Sequence, residues 1–296
     1  MNKKTILLTG TSGFIGYSFL NYALSKNYYV IDILRSKNRN NSKLNQLKKI
    51  HPKKYKSIFF SNYKSLNKKI KNYRFYCFIN FANLYKNNHN YNDIFGFVES
   101  NILFPTLIYD LVFKKTKKII NFGTMMQHAD GKSYSSKNLY AATKNAFEMI
   151  NNYYCSEKKN IKIYNLKFYE SFGENDQRIK LIPTLIKNYK KNKITKILSK
   201  NLELNIIHIN DIFNSIMILL NNNIKSGSYC LKHTNNIKII KLIKILNKNL
   251  NKKIKVKYYN KPDINFPKSN LKILPKWKVQ NNLIKKIILN FKNEIN

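Results

Sequence analysis

The sequence has few acidic residues, glycines, arginines and cysteines. Its 296 residues include 14 Asp and Glu against 55 Lys and Arg, so the formal net charge is +41. The three cysteines, Cys77, Cys155 and Cys230, are far apart and show no CxxC spacing. This excludes a disulfide framework and gives no sign of a zinc site. We therefore expect a protein of the reduced cytoplasm that binds no metal.

The high positive charge gives little support to nucleic-acid binding. Only four of the basic residues are arginines, although Arg is the residue that grips phosphates and base edges in bidentate fashion. An excess of Lys with few Gly residues is also what an AT-rich genome encodes. We therefore expect no nucleic-acid partner. The hydrophobic content of 43% is enough for a buried core, which excludes wholesale disorder.

No segment is predicted to span a membrane. The most apolar long stretch, residues 94–113, contains Glu99, Asn101, Pro105 and Asp110. Because such residues are costly inside a bilayer, we interpret the stretch as a buried helix. The apolar run at residues 5–8 is too short for a signal peptide and leads into a glycine-rich turn.

Short apolar segments alternate with longer helical patterns through the first 170 residues. Strands are predicted at residues 5–9, 28–34, 57–60, 75–81, 118–122 and 161–168. Helices are predicted at residues 14–25, 93–113 and 138–154. Continuously apolar strands separated by helices are typical of a doubly wound α/β fold, in which a parallel sheet is covered on both faces.

A glycine-rich turn follows the first predicted strand and opens the first helix. Three of only eight glycines, Gly10, Gly13 and Gly16, lie within it. In this setting the first glycine makes a tight turn, the second lets the backbone approach a pyrophosphate, and the third lets helix and strand pack closely. The turn therefore predicts a dinucleotide site, with these cofactor-binding residues: Gly10, Thr11, Ser12, Gly13, Phe14, Ile15 and Gly16.

The chain is accordingly divided into two interleaved parts. Residues 1–168 are predicted to form a dinucleotide-binding Rossmann domain. Residues 169–296 are predicted to form a smaller α/β lobe that binds substrate. A strand near residues 227–232 is expected to rejoin the main sheet.

Two motifs resemble those of the extended short-chain dehydrogenase/reductase family, which includes nucleotide-sugar epimerases, dehydratases and reductases. The first is TGxxGFIG, beginning at Thr9, and the second is YxxxK, from Tyr140 to Lys144. The resemblance implies an NAD(P)-dependent oxidoreductase in which Thr124, Tyr140 and Lys144 are catalytic. Tyr140 is the expected acid or base, and Tyr140 and Lys144 also contact the cofactor. Ala82 matches a small residue beside the cofactor.

The end of the second strand indicates which cofactor is used. NAD-dependent relatives carry an acid there for the adenosine ribose, but this position is Leu34, followed by Arg35 and Ser36. An arginine accommodates the 2′-phosphate of NADP. We therefore predict that NADP(H) is favoured over NAD(H), with Arg35 and Ser36 in contact with it.

Residues after Thr124 narrow the reaction that the resemblance implies. Met125 and Met126 stand where 4,6-dehydratases carry an Asp-Glu pair, and methionine cannot transfer those protons. No cysteine follows Thr124, which disfavours the epimerising reductases that make GDP-fucose. Residues 127–148 most resemble the nucleotide-sugar 4-ketoreductases of the CDP-abequose synthase type.

The predicted function is therefore NADPH-dependent reduction of a nucleotide-linked 4-keto-6-deoxysugar at C4, for O-antigen or capsule synthesis. One alternative is a nucleotide-sugar 4-epimerase with tightly bound NAD. Another, from a different class, is a cofactor-sensing or nucleic-acid-binding module on an inactive reductase scaffold. A homodimer is expected through the helices predicted at residues 93–113 and 138–154, since relatives dimerise there.

The nucleotide-diphosphate sugar is expected to meet a further group of side chains. Glu170 and Arg178 lie in segments that resemble the family's substrate region, and Arg178 is the candidate for the diphosphate. The predicted substrate-binding residues are Thr124, Met125, His128, Glu170 and Arg178.

Overall fold

The structure is a computed structural model that describes residues 4–35, 41–131, 135–157, 161–259 and 269–293. Thirteen strands are found in this part of the chain. They are β1 (Thr5–Thr9), β2 (Tyr29–Arg35), β3 (Tyr55–Phe60), β4 (Cys77–Asn80), β5 (Lys118–Thr124), β6 (Lys162–Phe168), β7 (Glu170–Phe172), β8 (Thr195–Ile197), β9 (Glu203–Leu204), β10 (Ile206–His208), β11 (Gly227–Cys230), β12 (Ile237–Lys238) and β13 (Val256–Tyr258).

Ten α-helices lie between and after these strands in the described residues. They are α1 (Phe14–Ser25), α2 (Ser42–Ile50), α3 (Tyr63–Ile70), α4 (Ile94–Val98), α5 (Phe104–Val112), α6 (Leu139–Glu157), α7 (Leu181–Lys190), α8 (Ile209–Asn221), α9 (Ile239–Asn249) and α10 (Leu283–Asn293).

Seven parallel strands form the main sheet in the order β11-β6-β5-β4-β1-β2-β3. The order reverses between β1 and β4, and a parallel doubly wound sheet binds its ligand at such a switch point. The predicted fold class is therefore confirmed. β11 lies beside β6 at one edge of the sheet.

Each face of the sheet packs against its own set of helices. Ile6 and Leu8 of β1 face α1 and α8, whereas Leu7 faces α5 and α6. Both faces are buried, which is why the strands are apolar at nearly every position. A third apolar cluster joins α7, α9 and α10 in the C-terminal half of the chain.

The apolar segment between β4 and β5 belongs to this packing. By length and apolar composition alone, Tyr91–Lys115 is the one described segment that could cross a membrane. In the fold, its residues Ile108 and Tyr109 are fully buried beside the sheet and α6. The segment changes from α-helix to a π-helical turn over Glu99–Leu103 and then returns to α-helix in α5.

Candidate active site

A cleft of about 730 Å³ opens at the carboxyl ends of β1, β2, β4 and β5, at the switch point of the sheet. Its volume suits a ligand of the size of a cofactor or substrate. The cleft is lined by these residues of the predicted site: Gly10, Ser12, Gly13, Phe14, Ile15, Gly16, Arg35, Ala82, Thr124, Tyr140, Glu170 and Arg178. Four other predicted residues, Thr11, Met125, His128 and Lys144, are buried beside it. Ser36 lies outside the described residues.

The glycine turn leaves the N-terminus of α1 open to this cleft. Gly10 has a positive φ of 76°, and a Cβ at this position would lie 2.4 Å from Ala82 N. A Cβ on Gly16 would lie 2.3 Å from Gly10 O, whereas one on Gly13 would meet nothing closer than 3.4 Å. No side chain caps α1. The free first-turn N–H groups and the open surface above Gly13 fit a dinucleotide pyrophosphate.

A buried carboxylate supports the turn from beneath. Asp32 of β2 is fully buried, and its Oδ2 accepts hydrogen bonds from Thr11 Oγ1 at 2.6 Å and Tyr55 Oη at 2.7 Å. Burial raises the pKa of Asp32, although these hydrogen bonds oppose the rise. Thr11 therefore fixes the loop rather than facing the cleft.

Thr124, the last residue of β5, faces the cleft. Its Oγ1 accepts a hydrogen bond from Met126 N at 3.2 Å, and this bond caps a short 3-10 turn over Met125–His128. We find no acceptor for the hydroxyl hydrogen among the described residues. Thr124 can therefore donate a hydrogen bond to a ligand oxygen in the cleft.

Tyr140 lies in the first turn of α6 and faces the same cleft. Asn138 caps this helix by accepting a hydrogen bond from Ala141 N at 3.0 Å. The ring of Tyr85 stands edge-on to that of Tyr140, with 4.9 Å between the centroids. The glycine turn, Thr124 and Tyr140 thus lie around one space, as the resemblance implies.

Burial dominates the electrostatics of Tyr140 and Lys144. Burial raises the pKa of Tyr140, and Tyr85 and Glu170 raise it further while Arg178 opposes them. Lys144 does not offset this effect. Its own pKa is lowered from 10.5 to about 8, because the ammonium is buried. We find no hydrogen-bond or ion-pair partner for that ammonium among the described residues. Desolvation therefore dominates over the attraction expected between phenolate and ammonium.

A buried polar network joins the end of β5 to α6. Gln127 Oε1 accepts from Thr124 N at 2.9 Å, while its Nε2 donates to Asn145 Oδ1 at 2.7 Å and Glu148 Oε2 at 2.8 Å. Lys167 of β6 also pairs with Glu148 Oε2, at 2.7 Å. The network holds the strand that carries Thr124 against the helix that carries Tyr140 and Lys144.

Two predicted substrate residues belong to this buried layer. His128 Nε2 lies 3.0 Å from Lys167 Nζ, and only 5% of the histidine is exposed. Met125 is fully buried, and its Sδ lies 3.6 Å from Cys230 Sγ. In its place the neighbouring Met126 lines the cleft. The 3-10 turn causes this difference, because it rotates successive side chains away from the alternation of a strand.

The far wall of the cleft carries two cations. Lys180 Nζ lies 3.2 Å from Glu170 Oε1 and 3.7 Å above the ring of Tyr85. Arg178 makes a two-point contact with Asp176, at 2.8 and 2.7 Å, and its guanidinium lies 4.6 Å from the ring of Phe14. Each of the two cations is therefore held in place by a carboxylate and an aromatic ring.

Sequence reasoning did not include Tyr85, Gln127 or Lys180 in the site. Tyr85 and Lys180 are two residues among 21 tyrosines and 51 lysines, and no motif singles them out. Gln127 reaches Thr124 only because of the 3-10 turn, which the sequence does not predict. Among the residues that the structure describes, no group of three or more His, Cys, Asp or Glu side chains could hold a metal ion.

A glycine-rich strand-to-helix turn beside a Thr, Tyr and Lys set defines the class of the protein as a dinucleotide-dependent enzyme with a Rossmann fold. Residues 6–231 match the NAD dependent epimerase/dehydratase family, and the chain belongs to that family. It is an NAD(P)-dependent enzyme of the extended short-chain dehydrogenase/reductase type.

Curated relatives and solved structures agree with this placement. A CDP-abequose synthase of Yersinia pseudotuberculosis is 27% identical over 227 residues, which are 76% of this chain and 75% of that protein. A CDP-abequose synthase of Salmonella muenchen is 24% identical, over 87% of this chain and 84% of that protein. The UDP-N-acetylglucosamine 4-epimerase of Methanobrevibacter ruminantium M1 has a similar fold, with a TM-score of 0.83 and 16% identity over 100% of this chain and 99% of that one.

Proposed function

We propose that the protein reduces a nucleotide-linked 4-keto-6-deoxysugar at C4 with NADPH, in the synthesis of an O-antigen or capsule sugar. The observation that carries this proposal is the composition of the cleft. Thr124 and Tyr140 face it beside the glycine turn, while methionines follow Thr124. Such a site can hold and protonate an oxygen but offers no carboxyl pair next to Thr124 for eliminating water. The two CDP-abequose synthases among the relatives support the same reaction class.

Three residues of the chain have separate roles in the proposed reduction. Thr124 donates a hydrogen bond to the sugar O4 and fixes its position. Tyr140 gives its phenolic proton to O4 as negative charge develops there. Lys144, one helical turn beyond Tyr140 on the same helical face, contacts the bound cofactor. A bound nicotinamide supplies the hydride.

The raised pKa of Tyr140 suits its proposed role as an acid. Burial keeps the phenol protonated at neutral pH. Tyr140 therefore holds the proton that reduction at C4 has to deliver to O4.

The far wall of the cleft suits a diphosphate group. Asp176 and Ser171 take the Nε and Nη2 donors of Arg178, which leaves Nη1 for a ligand, and Lys180 lies close by above Tyr85. Charge-assisted hydrogen bonds from such donors to phosphate oxygens are strong. We propose that Arg178 and Lys180 hold the nucleotide diphosphate while Glu170 contacts the sugar.

For the cofactor we propose a preference for NADP(H) over NAD(H). The last two residues of β2, Leu34 and Arg35, carry no carboxylate, and both line the cleft. At the end of this strand a 2′-phosphate would therefore meet a guanidinium rather than an acid.

We also propose a cytoplasmic homodimer with a substrate-binding lobe formed by residues 169–296. The outer surface of α4 and α6 is apolar, since Phe95 is 75% exposed and Tyr153 is 58% exposed. Val98 and Met149 extend the same surface. Exposed apolar patches of this kind mark association sites, and two copies of one surface can pair about a two-fold axis.

The decisive experiment is incubation of the purified protein with NADPH and a panel of CDP-, dTDP- and GDP-linked 4-keto-6-deoxysugars. NADPH oxidation with a single C4 alcohol identified by NMR is the expected result. Protein purified with tightly retained NAD that interconverts C4 epimers without added cofactor would instead identify an epimerase. No turnover of any nucleotide sugar, with nucleic acid retained at ~0.2 M salt, would refute the enzyme proposal, since phosphate-only contacts weaken steeply at that salt concentration.

A further inference from the structure

A carboxylate lies beside Arg35, although β2 itself ends without one. Arg35 Nη1 is 3.3 Å from Glu99 Oε2 and 3.0 Å from Ser100 Oγ. Glu99 and Ser100 open the π-helical turn between α4 and α5. Turns of this type within helices are frequent at functional sites, because the extra residue re-aims side chains. Here the turn brings a carboxylate to the arginine that is proposed to bind the 2′-phosphate.

The two charges share one recess at the end of the cleft. A pocket of about 320 Å³ is lined by Arg35 and Glu99 together with Phe60, Ser61 and Phe104. Arg35 lines the main cleft as well. Among the described residues that line either space, the second carboxylate is Glu170, which lies at the catalytic end and pairs with Lys180. Glu99 is thus the acid that a cofactor meets beside β2.

We propose that Glu99 is a cofactor-selectivity residue that competes with the 2′-phosphate of NADP(H) for the Arg35 guanidinium. The inference rests on the proposed nicotinamide cofactor. A 2′-phosphate needs Arg35 and therefore has to displace Glu99 from it. The 2′-hydroxyl of NAD(H) makes no such demand. Glu99 consequently weakens the binding of NADP(H) and leaves that of NAD(H) almost unchanged.

The size of the effect follows from the exposure of the pair. The Arg35 and Glu99 side chains are 30% and 42% exposed, and ion pairs in such positions are weak and screened by salt. Breaking this pair should therefore strengthen NADPH binding about two- to fivefold. Ser100 remains as a hydrogen-bond partner that keeps Arg35 at the site.

The test compares the dissociation constants of NADPH and NADH for the wild type, Glu99→Gln, Arg35→Gln and the double variant, by fluorescence titration of the full chain. Glu99→Gln should bind NADPH about two- to fivefold more tightly, with the constant for NADH unchanged. In the Arg35→Gln background the same substitution should give no gain. Asp110→Asn is the matched control, because it removes the same charge from α5, where Asp110 accepts a hydrogen bond from Tyr63 outside the cleft.

The inference is overturned if Glu99→Gln leaves the NADPH-to-NADH ratio unchanged, or if the gain persists in full without Arg35. An equal gain in Asp110→Asn would also overturn it, because that result would reflect overall charge. At raised salt the gain should shrink. A wild type that binds neither dinucleotide would refute the proposed function itself, and this outcome is distinct from an unchanged ratio.

Discussion

Replacing Lys144 with methionine should stabilise the protein while abolishing its activity. The pKa of the Lys144 ammonium falls from 10.5 to about 8 because the group is buried. At 1.36 kcal/mol per pH unit, keeping this buried side chain charged costs about 3 kcal/mol at pH 7. Methionine has a similar length and no charge, so the free energy of unfolding should rise by about this amount.

The dependence on pH separates this effect from a change in packing. The folded pKa lies below the unfolded one, so between about pH 8 and pH 10.5 the unfolded chain binds more protons than the folded protein. Wild-type stability is therefore reduced in full below pH 8 and recovers as the pH rises through this window. The advantage of Lys144→Met should fall from about 3 kcal/mol at pH 7 to about 1 kcal/mol at pH 10.

Urea unfolding of both proteins at the two pH values measures this difference. Lys68→Met is the control, since Lys68 is exposed on α3 and its loss should change stability by no more than about 0.5 kcal/mol. A Lys144→Met variant that is no more stable than the wild type at pH 7 would refute the reasoning. A gain that is the same at pH 7 and pH 10 would assign it to packing instead.

Three further predictions concern catalysis, positioning and assembly. Tyr140→Phe should abolish turnover and leave the dissociation constant of NADPH within about threefold, because it removes one acidic proton and no bulk; full activity in this variant would exclude Tyr140 as the acid. Gln127→Leu should lower kcat at least about tenfold with little change in KM, because Thr124 N and Glu148 lose a partner; the control Asn151→Leu breaks a similarly buried bond to Asn165 and should keep kcat within about threefold. Phe95→Lys should convert the dimer to a monomer by light scattering at micromolar concentration, whereas Ile194→Lys, which alters an exposed apolar residue outside that surface, should not.

The main sheet could be predicted because its strands are apolar and short. The predicted strand at residues 5–9 and helix at residues 14–25 coincide with β1 and α1. The prediction of a helix at residues 93–113 omitted only the π-helical turn at Glu99–Leu103. That turn was not predictable, because Asn101 stabilises it through distant partners: its side chain bonds Leu84 N at 2.7 Å and Thr143 Oγ1 at 3.0 Å.

Helices α2 and α3 were not predicted, because their composition is typical of loops. Both are rich in Lys and Asn, which are common in solvated loops. Asparagine begins both helices. Asn41 accepts a hydrogen bond from Leu44 N at 3.2 Å, and Asn62 accepts one from Ser65 N at 2.9 Å. In a chain with so many asparagines, a capping residue cannot be distinguished from a loop residue until the buried leucines one turn later are considered.

The many lysines also limit what the sequence can predict, and the structure distinguishes them by their burial and their partners. With 51 lysines in the chain, a YxxxK motif arises easily by chance, so that its spacing alone is weak evidence. Lys167 is buried but is paired with Glu148 at 2.7 Å, and the pair holds β6 to α6. Lys144 is also buried, 5% exposed, yet we find no carboxylate beside it in the described chain. An unpaired buried cation destabilises a fold, and such groups concentrate at functional sites. Burial without a partner therefore distinguishes Lys144 from the structural lysine and from the many solvated ones.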